Sequence, residues 1–291
     1  MVMAMLNILI VGATGFIGKR LVHHLFEKGH QVYICGHLNA KKLAQQPPLL
    51  IYIDCNNART LKNCMQHIDV IYFIVHSLSE KNATLDIDEK IISLFLQNTQ
   101  ETSIKQIIFL VDMNDAYSHA VDKTLQQLKI PTTTLRVSMI IGSESASFEI
   151  MQKMCDTMPI LITPRWVHTL FQPIAIDDLL FYLSAVLVNK ACYDNEFDLG
   201  GPEIITFKQL MIRYMEFKKL KKRVIDLNFN IPWLSKCMLT WFTSTRFSTC
   251  AYLIDSMTKS GAIRLNKINE IIPHECMSCD AAIAAIQRLS L

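Results

Sequence analysis

The chain has 291 residues, of which 51% are hydrophobic and 19% charged, and its formal net charge is +3. That balance excludes an intrinsically disordered chain, and the length suffices for one large α/β core with or without a smaller appendage. The small net charge, with no concentrated basic face, argues against a dedicated nucleic-acid binder.

Residues 6 to 11 form an apolar run of strand type. The run stops at Gly12-Ala13-Thr14-Gly15-Phe16-Ile17-Gly18, where three glycines stand three residues apart. Phe16, Ile17, Leu21, Val22, Leu25 and Phe26 then recur at helical steps. Strand, tight turn and helix N-terminus follow one another. Each glycine has a physical task in a dinucleotide site. Gly12 makes the turn, Gly15 lets the backbone approach a phosphate, and Gly18 lets the helix lie close to the strand. Free amides and the positive end of the helix dipole face the anion. The plainer alternative is a tight turn with no ligand.

Residues 31 to 35 read as strand two. NAD enzymes of this design place an acid near its end to bind the ribose hydroxyls. Here Cys35, Gly36 and His37 stand there, and no acid occurs between Glu27 and Asp54. With His37, Lys41 and Lys42 nearby, the expected cofactor is NADP in preference to NAD. Strand three covers residues 49 to 53. Asp54 follows it, placed either to reach an adenine amino group or to cap the next helix. Strand four, residues 69 to 75, is wholly apolar after its first residue, as a parallel strand covered on both faces should be. Val75 and His76 at its end would rim the ligand crevice. A helix over about 84 to 99, strand five over 104 to 111, a helix over about 115 to 128 and strand six over 130 to 137 continue the alternation. The expected fold class is α/β, a Rossmann-type doubly wound parallel sheet.

The rhythm changes after Gly142. A helix stripe (Phe148, Met151, Cys155, Met158), a short strand over 159 to 163 and a helix from an Asp177-Asp178 cap to about Val188 are expected. A short strand and turn around Phe197 to Pro202, a helix capped by Thr206 and a strand over 224 to 227 follow. The chain is divided into a dinucleotide-binding core, 1–142, and a small mixed α/β C-terminal part, 143–291. This second part would bind substrate or partner and would be interleaved with the core. The aromatic stretch 231 to 253 suits a substrate lid, a homodimer face or a membrane-surface helix.

No basic stretch precedes the first apolar run, so no signal peptide is read, and no uncharged run approaches the roughly 20 residues that cross a bilayer. A cytoplasmic location is expected. The nine cysteines are scattered and read as small buried hydrophobes. Cys276-Met277-Ser278-Cys279 lacks the second pair of a zinc site, and the nine histidines, His23 and His24 among them, show no ligand spacing. No metal site is expected.

The glycine turn, Asp69 to Tyr72, Pro131 to Arg136, Ser145 to Glu149, Thr163 to Val167, Gln172 to Ile174 and Gly200 to Glu203 together resemble the atypical extended branch of the short-chain dehydrogenase/reductase superfamily. That branch holds NAD(P)-binding, NmrA-like and epimerase-like bacterial proteins. The resemblance spans nearly the whole chain. It implies an NAD(P) cofactor held by Gly12, Ala13, Thr14, Gly15, Phe16, Ile17, Gly18, His37, Asp54, Val75 and His76. Catalytic members carry a Tyr and, four residues later, a Lys on the helix after strand five. Here Asn114 and Ser118 stand at the matching positions. Tyr117 and Lys123 are six apart and point about 240° from one another around a helix, so they do not cooperate. Asp112, His76 and His168 are the remaining acid/base candidates. Two readings follow: an oxidoreductase or epimerase with a relocated acid/base group, acting on an unidentified small molecule, or a non-catalytic NADP(H)-binding regulator that passes its state to a protein partner.

Overall fold

The computed structural model describes residues 4–36, 51–54, 65–74, 102–113, 130–227, 261 and 267–288. Seven strands form one parallel sheet: β1 (Asn7–Val11), β2 (Gln31–Gly36), β3 (Ile51–Asp54), β4 (Val70–Ile74), β5 (Gln106–Asp112), β6 (Thr132–Val137) and, from further along the chain, Asn195–Leu199. The spatial order is β3-β2-β1-β4-β5-β6, with Asn195–Leu199 beside β6. This is the doubly wound order, and it reverses at β1, which has β2 on one side and β4 on the other. Every residue of β4 and β5 is buried, which explains their unbroken apolar character.

Short strands β7 (Ile140–Ile141), β8 (Ile160–Thr163), β9 (Leu170–Phe171) and β10 (Ile174–Ala175) precede the seventh sheet strand, β11 (Asn195–Leu199). Strands β12 (Ile205–Thr206) and β13 (Arg223–Asp226) follow it. Three two-stranded pairs result: β7 with β10, β9 with β12, and β8 with β13. The described helices are α1 (Phe16–Glu27), α2 (Ala146–Thr157), α3 (Ile176–Ala185), α4 (Phe207–Phe217), α5 (Ile268–Ile271) and α6 (Cys279–Arg288).

Two apolar clusters organise these elements. The first joins the sheet to α1 and α3 through residues such as Ile10, Leu21, Tyr72 and Leu183. The second joins α2, α4 and α6 around Phe148, Met154, Trp166, Leu210 and Ile283. Polar groups inside the first cluster are paired. The Tyr72 hydroxyl donates to the Leu183 carbonyl at 2.6 Å. Gln106 Nε2 donates to Thr133 Oγ1 at 2.8 Å and to the Val186 carbonyl at 3.1 Å, and its Oε1 accepts the Val188 amide at 2.7 Å. Thr133 in turn donates to the Cys192 carbonyl. Burying these groups unpaired would cost on the order of 1–3 kcal/mol each, so the network fixes one arrangement of α3 over β5.

Several local expectations need correction. Phe26, placed in the helix stripe, is 44% exposed. His24, expected like its neighbour His23 to face solvent from the helix, is half-buried: its Nε2 lies 3.2 Å from Ser184 Oγ on α3, and burial lowers its pKa. Asp177 and Asp178 are not the cap of α3. Ala175 holds that position and the two acids occupy the first turn. The short strand expected around Phe197 starts two residues earlier and belongs to the main sheet, pairing in register with β6 from Asn195↔Thr133 to Leu199↔Val137. Thr206 does cap α4, in a reciprocal capping box with Gln209.

Candidate functional site

The turn between β1 and α1 is built on glycine at two places for internal reasons. Gly12 has φ +90°, and a Cβ there would stand 2.0 Å from the Ile74 carbonyl oxygen at the end of β4. A Cβ on Gly18 would stand 2.1 Å from the Gly12 carbonyl oxygen and 2.8 Å from Ala13 Cα. Both contacts are with backbone, which cannot swing away. Gly15 differs. Its backbone is ordinary (φ −74°, ψ 171°), and among the described residues its only close neighbour for a Cβ is the Gly12 carbonyl oxygen at 3.4 Å. Thr14 and Gly15 are exposed, while Ala13 and Ile17 turn their side chains into the core. Ala13 and Ile17 therefore offer a ligand their backbone only.

Electrostatics at this end of α1 are open to an anion. The Gly15 amide closes the turn on the Gly12 carbonyl at 3.1 Å. The next amides, from Phe16 on, are those a helix leaves without an intrahelical partner. Among the five described helices of ten or more residues, α1 alone has neither a first-turn acid nor a side-chain cap bond. Helices α2, α3 and α6 carry Glu149, Asp177 with Asp178, and Asp280, and α4 has its capping box. The positive pole of α1 is thus left uncompensated by its own first turn and cap.

A brace holds the turn, and sequence reasoning missed it. Arg20 lies one helical turn after Phe16. Its Nη1 donates to the Phe16 carbonyl at 3.0 Å, and its Nη2 donates to the Ser143 carbonyl at 2.9 Å and to Ser143 Oγ at 3.0 Å. The guanidinium sits 4.5 Å from the Phe16 ring centroid. Glu144, at φ 69°, completes the contact with an oxygen 3.3 Å from Nη1. Gly142 is needed beside this brace, since a Cβ there would meet the Phe16 ring at 2.8 Å. The four-residue step from Phe16 to Arg20 was the available signal.

The structure gathers Gly12 to Gly18 in one turn beside the ends of β1 and β4. Asp112 is the last residue of β5, buried, and in register with Val137. Asp54 ends β3 in register with Gly36. His37, Val75 and His76 lie outside the described residues, as do Asn114, Tyr117, Ser118 and Lys123. His168 is elsewhere: it ends the 3-10 turn Arg165–His168, is 46% exposed along its side chain, and its Nε2 lies 3.6 Å from Asp226 Oδ1. Asp226 is also held by Lys208 and accepts from Thr163 Oγ1 at 2.6 Å. These two bonds, ahead of the opposing effect of burial, hold its carboxyl below the usual value.

One Tyr-x-x-x-Lys spacing does occur, at Tyr214 and Lys218. It is on α4, inside the second apolar cluster. The Tyr214 hydroxyl donates to the Asp156 carboxylate, with oxygens at 3.1 and 3.3 Å, and burial followed by that carboxylate pushes its pKa well up. A proton-shuttling tyrosine needs the opposite shift. This pair is a core contact and not a relocated dyad.

Fold and turn together define a Rossmann-type doubly wound fold with a glycine turn between its first strand and helix. The comparisons agree. Residues 8–101 match the NAD dependent epimerase/dehydratase family. A curated relative, the photosystem II assembly factor Ycf39 of Trieres chinensis, is 25% identical over 172 residues, which cover 54% of this chain and 53% of that protein. The chain thus aligns with about half the length of that relative. The triphenylmethane reductase of Citrobacter sp. superposes with a TM-score of 0.75 at 16% identity, over 97% of this chain and 99% of that one. UDP-glucose 4-epimerase of Thermotoga maritima, solved with UDP-glucose, gives 0.70 at 13%, over 98% and 100%. The Bordetella bronchiseptica enzyme WbmH, solved with NAD+, gives 0.70 at 11%, over 98% and 99%. At such identities these structures share the fold. Among the described residues, no helix is long and apolar enough to cross a membrane.

Proposed function

We propose that the chain binds a pyridine dinucleotide, NADP in preference to NAD, with the diphosphate against the Gly12–Gly18 turn. One observation carries this reading. Gly12 and Gly18 are glycines because the protein's own backbone leaves no room, whereas at Gly15 the described residues would accept a side chain. A ligand that approaches the backbone supplies the missing reason. The uncompensated pole of α1 supports an anionic group at the same place. The preference for NADP rests on the end of β2, where no acid stands. Asp54, one strand further out beside Gly36, is assigned to the adenine end.

The chemical reading is an oxidoreductase or epimerase that works without a dyad after β5. A bound nicotinamide would supply the hydride. Asp112, at the row of strand ends that rims the crevice, would hold or move the proton. The second reading is a non-catalytic NADP(H)-binding module. It is favoured by Asn114 and Ser118 at the dyad positions and by the relative's name, which is that of an assembly factor. The division into a binding core, 1–142, and a substrate- or partner-binding part, 143–291, belongs to both readings.

Calorimetric titration with NADPH and NADH tests binding, and NADPH consumption over a panel of quinones, aldehydes and sugar-nucleotide ketones tests chemistry. Turnover abolished by Asp112→Ala supports the enzyme. Binding with no turnover on any class supports the module. No binding of either dinucleotide overturns both.

A further inference from the structure

The chain crosses from the first apolar cluster to the second through residues 273–278. Ile268, Ile272 and Cys276 pack with the first cluster, and Cys279, Ala282, Ile283 and Ile286 belong to the second. At this crossing three metal-ligating side chains converge that neither the glycine turn nor Asp112 involves. Asp178 is in the first turn of α3, 4% exposed along its side chain. Its Oδ1 lies 2.8 Å from His274 Nε2, and its Oδ2 accepts the Met277 amide at 2.9 Å. Cys276 joins them, so that the ligand atoms of Asp178, His274 and Cys276 all lie within 4.8 Å of one another.

Residues 273–278 carry no helix or strand. His274 and Cys276 both meet side chains of α3. The His274 ring is held in place by stacking on Phe181, with centroids 3.9 Å apart and planes 17° from parallel. Cys276 Sγ lies 3.7 Å from the Tyr182 hydroxyl. Cys279 has turned away: its amide donates to Glu203 Oε2 at 2.7 Å, and its side chain is buried in the second cluster. The Cys276-x-x-Cys279 motif is split between two environments, so its cysteines do not act as a dithiol pair. The ligand set is one cysteine of that motif, joined by a histidine two residues before it and an aspartate 98 positions earlier in the chain.

We propose that Asp178, His274 and Cys276 bind one Zn(II) ion, with solvent in the fourth position, and that the ion clips the crossing segment to α3. Thiolate, imidazole and carboxylate form a zinc donor set. In a tetrahedral site with bonds of about 2.0–2.3 Å, the ligand atoms stand roughly 3.4–3.6 Å apart. The Asp178–His274 pair must open by about half an ångström, and no pair need close by more than about 1.4 Å. Both are side-chain adjustments. The Cys276 thiol gives its proton to solvent on binding, and His274 binds as the neutral ring. Cys276 and His274 are only partly buried, which leaves the ion a way in. The expectation of no metal site rested on ligands at fixed sequence spacing, which this set does not have. Asp178 is brought to the other two by the packing of α3.

The test uses the full chain, reduced and stripped of metal, titrated with Zn(II) against a chromophoric chelator and separately with Co(II) by absorbance. One equivalent should bind. Cobalt should give a thiolate charge-transfer band and the visible bands of a tetrahedral centre. Zn(II) should raise the melting temperature of the wild-type chain. Cys276→Ser, His274→Gln and Asp178→Asn should each weaken binding at least about tenfold, and the cobalt charge-transfer band should vanish in Cys276→Ser. Cys279→Ser should bind as the wild type does. Circular dichroism checks that each variant is folded, and Cys276→Ser, nearly isosteric, keeps the test decisive if Asp178→Asn is not. Failure of the wild-type chain to bind an equivalent overturns the proposal. So does a charge-transfer band that survives in Cys276→Ser, or equal loss in Cys279→Ser.

Discussion

The three glycines of the first turn should separate into two kinds when each is given a side chain. In Gly18→Ala the new methyl group would stand 2.1 Å from the Gly12 carbonyl oxygen. Helix α1 must retreat from β1, and overpacking of this sort costs about 1–3 kcal/mol. In Gly12→Ala the same kind of clash, with the Ile74 carbonyl oxygen at 2.0 Å, adds to a left-handed backbone at φ +90°. That backbone alone costs an alanine roughly 1–2 kcal/mol. Gly15→Ala should behave otherwise. The nearest atom of the described residues is 3.4 Å away and φ is −74°. Alanine gains some tenths of a kcal/mol by restricting the unfolded chain and loses about as much as a poorer helix cap. Its stability should therefore lie within about 0.5 kcal/mol of the wild type.

Binding should show the reverse order of specificity. A methyl group on Gly15 keeps the diphosphate from the amides, and one lost charge-assisted hydrogen bond is worth about 1.5–3 kcal/mol, or roughly 10–150-fold in Kd. Gly15→Val, bulkier still, should reduce NADPH binding below detection while the protein stays folded. Urea unfolding and calorimetric titration on the same preparations give the two numbers. Unchanged NADPH affinity in Gly15→Ala would refute the assignment of the turn. Destabilisation of Gly15→Ala as large as that of Gly18→Ala would refute the steric reasoning instead.

Three further outcomes are expected. NADPH should bind more tightly than NADH, and His37→Asp should narrow or reverse the ratio; equal affinities in the unaltered chain would remove the argument from the end of β2. Asp69 accepts the Asn7 amide at 2.8 Å and pairs with Lys105; burial opposes its charge, but these partners outweigh burial and hold its pKa below the usual value. Its contribution is therefore complete above the ordinary carboxylate value near pH 4 and fades as pH falls through the lower folded value. Asp69→Asn should flatten that acid limb in urea melts and change stability at pH 7 by less than about 1 kcal/mol, because Lys105 is half exposed. Gln106→Leu should cost about 2–4 kcal/mol, since it strands the Val188 amide and the Val186 carbonyl without their partner; a loss under 1 kcal/mol in denaturant melts would show that water replaces the side chain.

What the sequence made legible was local. The turn at Gly12, the buried runs of β4 and β5 and the capping box at Thr206 each depend on residues within a few positions of one another, and each stands where its pattern placed it. What it concealed was long-range. Asp178 looks like a cap because an acid at a helix start usually is one; here the carboxylate is spent on His274 and Met277, about 100 positions away. His24 reads as a wet helix face until Ser184 is packed against it. Arg20 gives no sign that its partner is Ser143. In each case the deciding neighbour comes from the C-terminal half, and no periodicity within α1 or α3 encodes it.

The seventh strand shows why that half is not a free appendage. Strand β11 follows the proposed boundary at residue 142 by more than fifty positions, yet it completes the sheet that begins at β1, pairing with β6 along its whole length. Arg136 on β6 fastens the pair from the side by donating to Asp198 and Glu196 at 2.6 Å each. Those ion pairs are partly exposed and add little stability, but with the backbone ladder they fix the register. Gln106 does the same across the layer, joining β5 to the turn after α3. An N-terminal fragment cut at Gly142 would lose a sheet edge, the helix over Tyr72 and both backbone partners of Gln106, the Val186 carbonyl and the Val188 amide, at once. The proposed division of tasks, cofactor on one side and substrate or partner on the other, would therefore lie within one unit that folds together. A fragment ending at Gly142 that unfolded cooperatively, as stable in urea as the full chain, would contradict this.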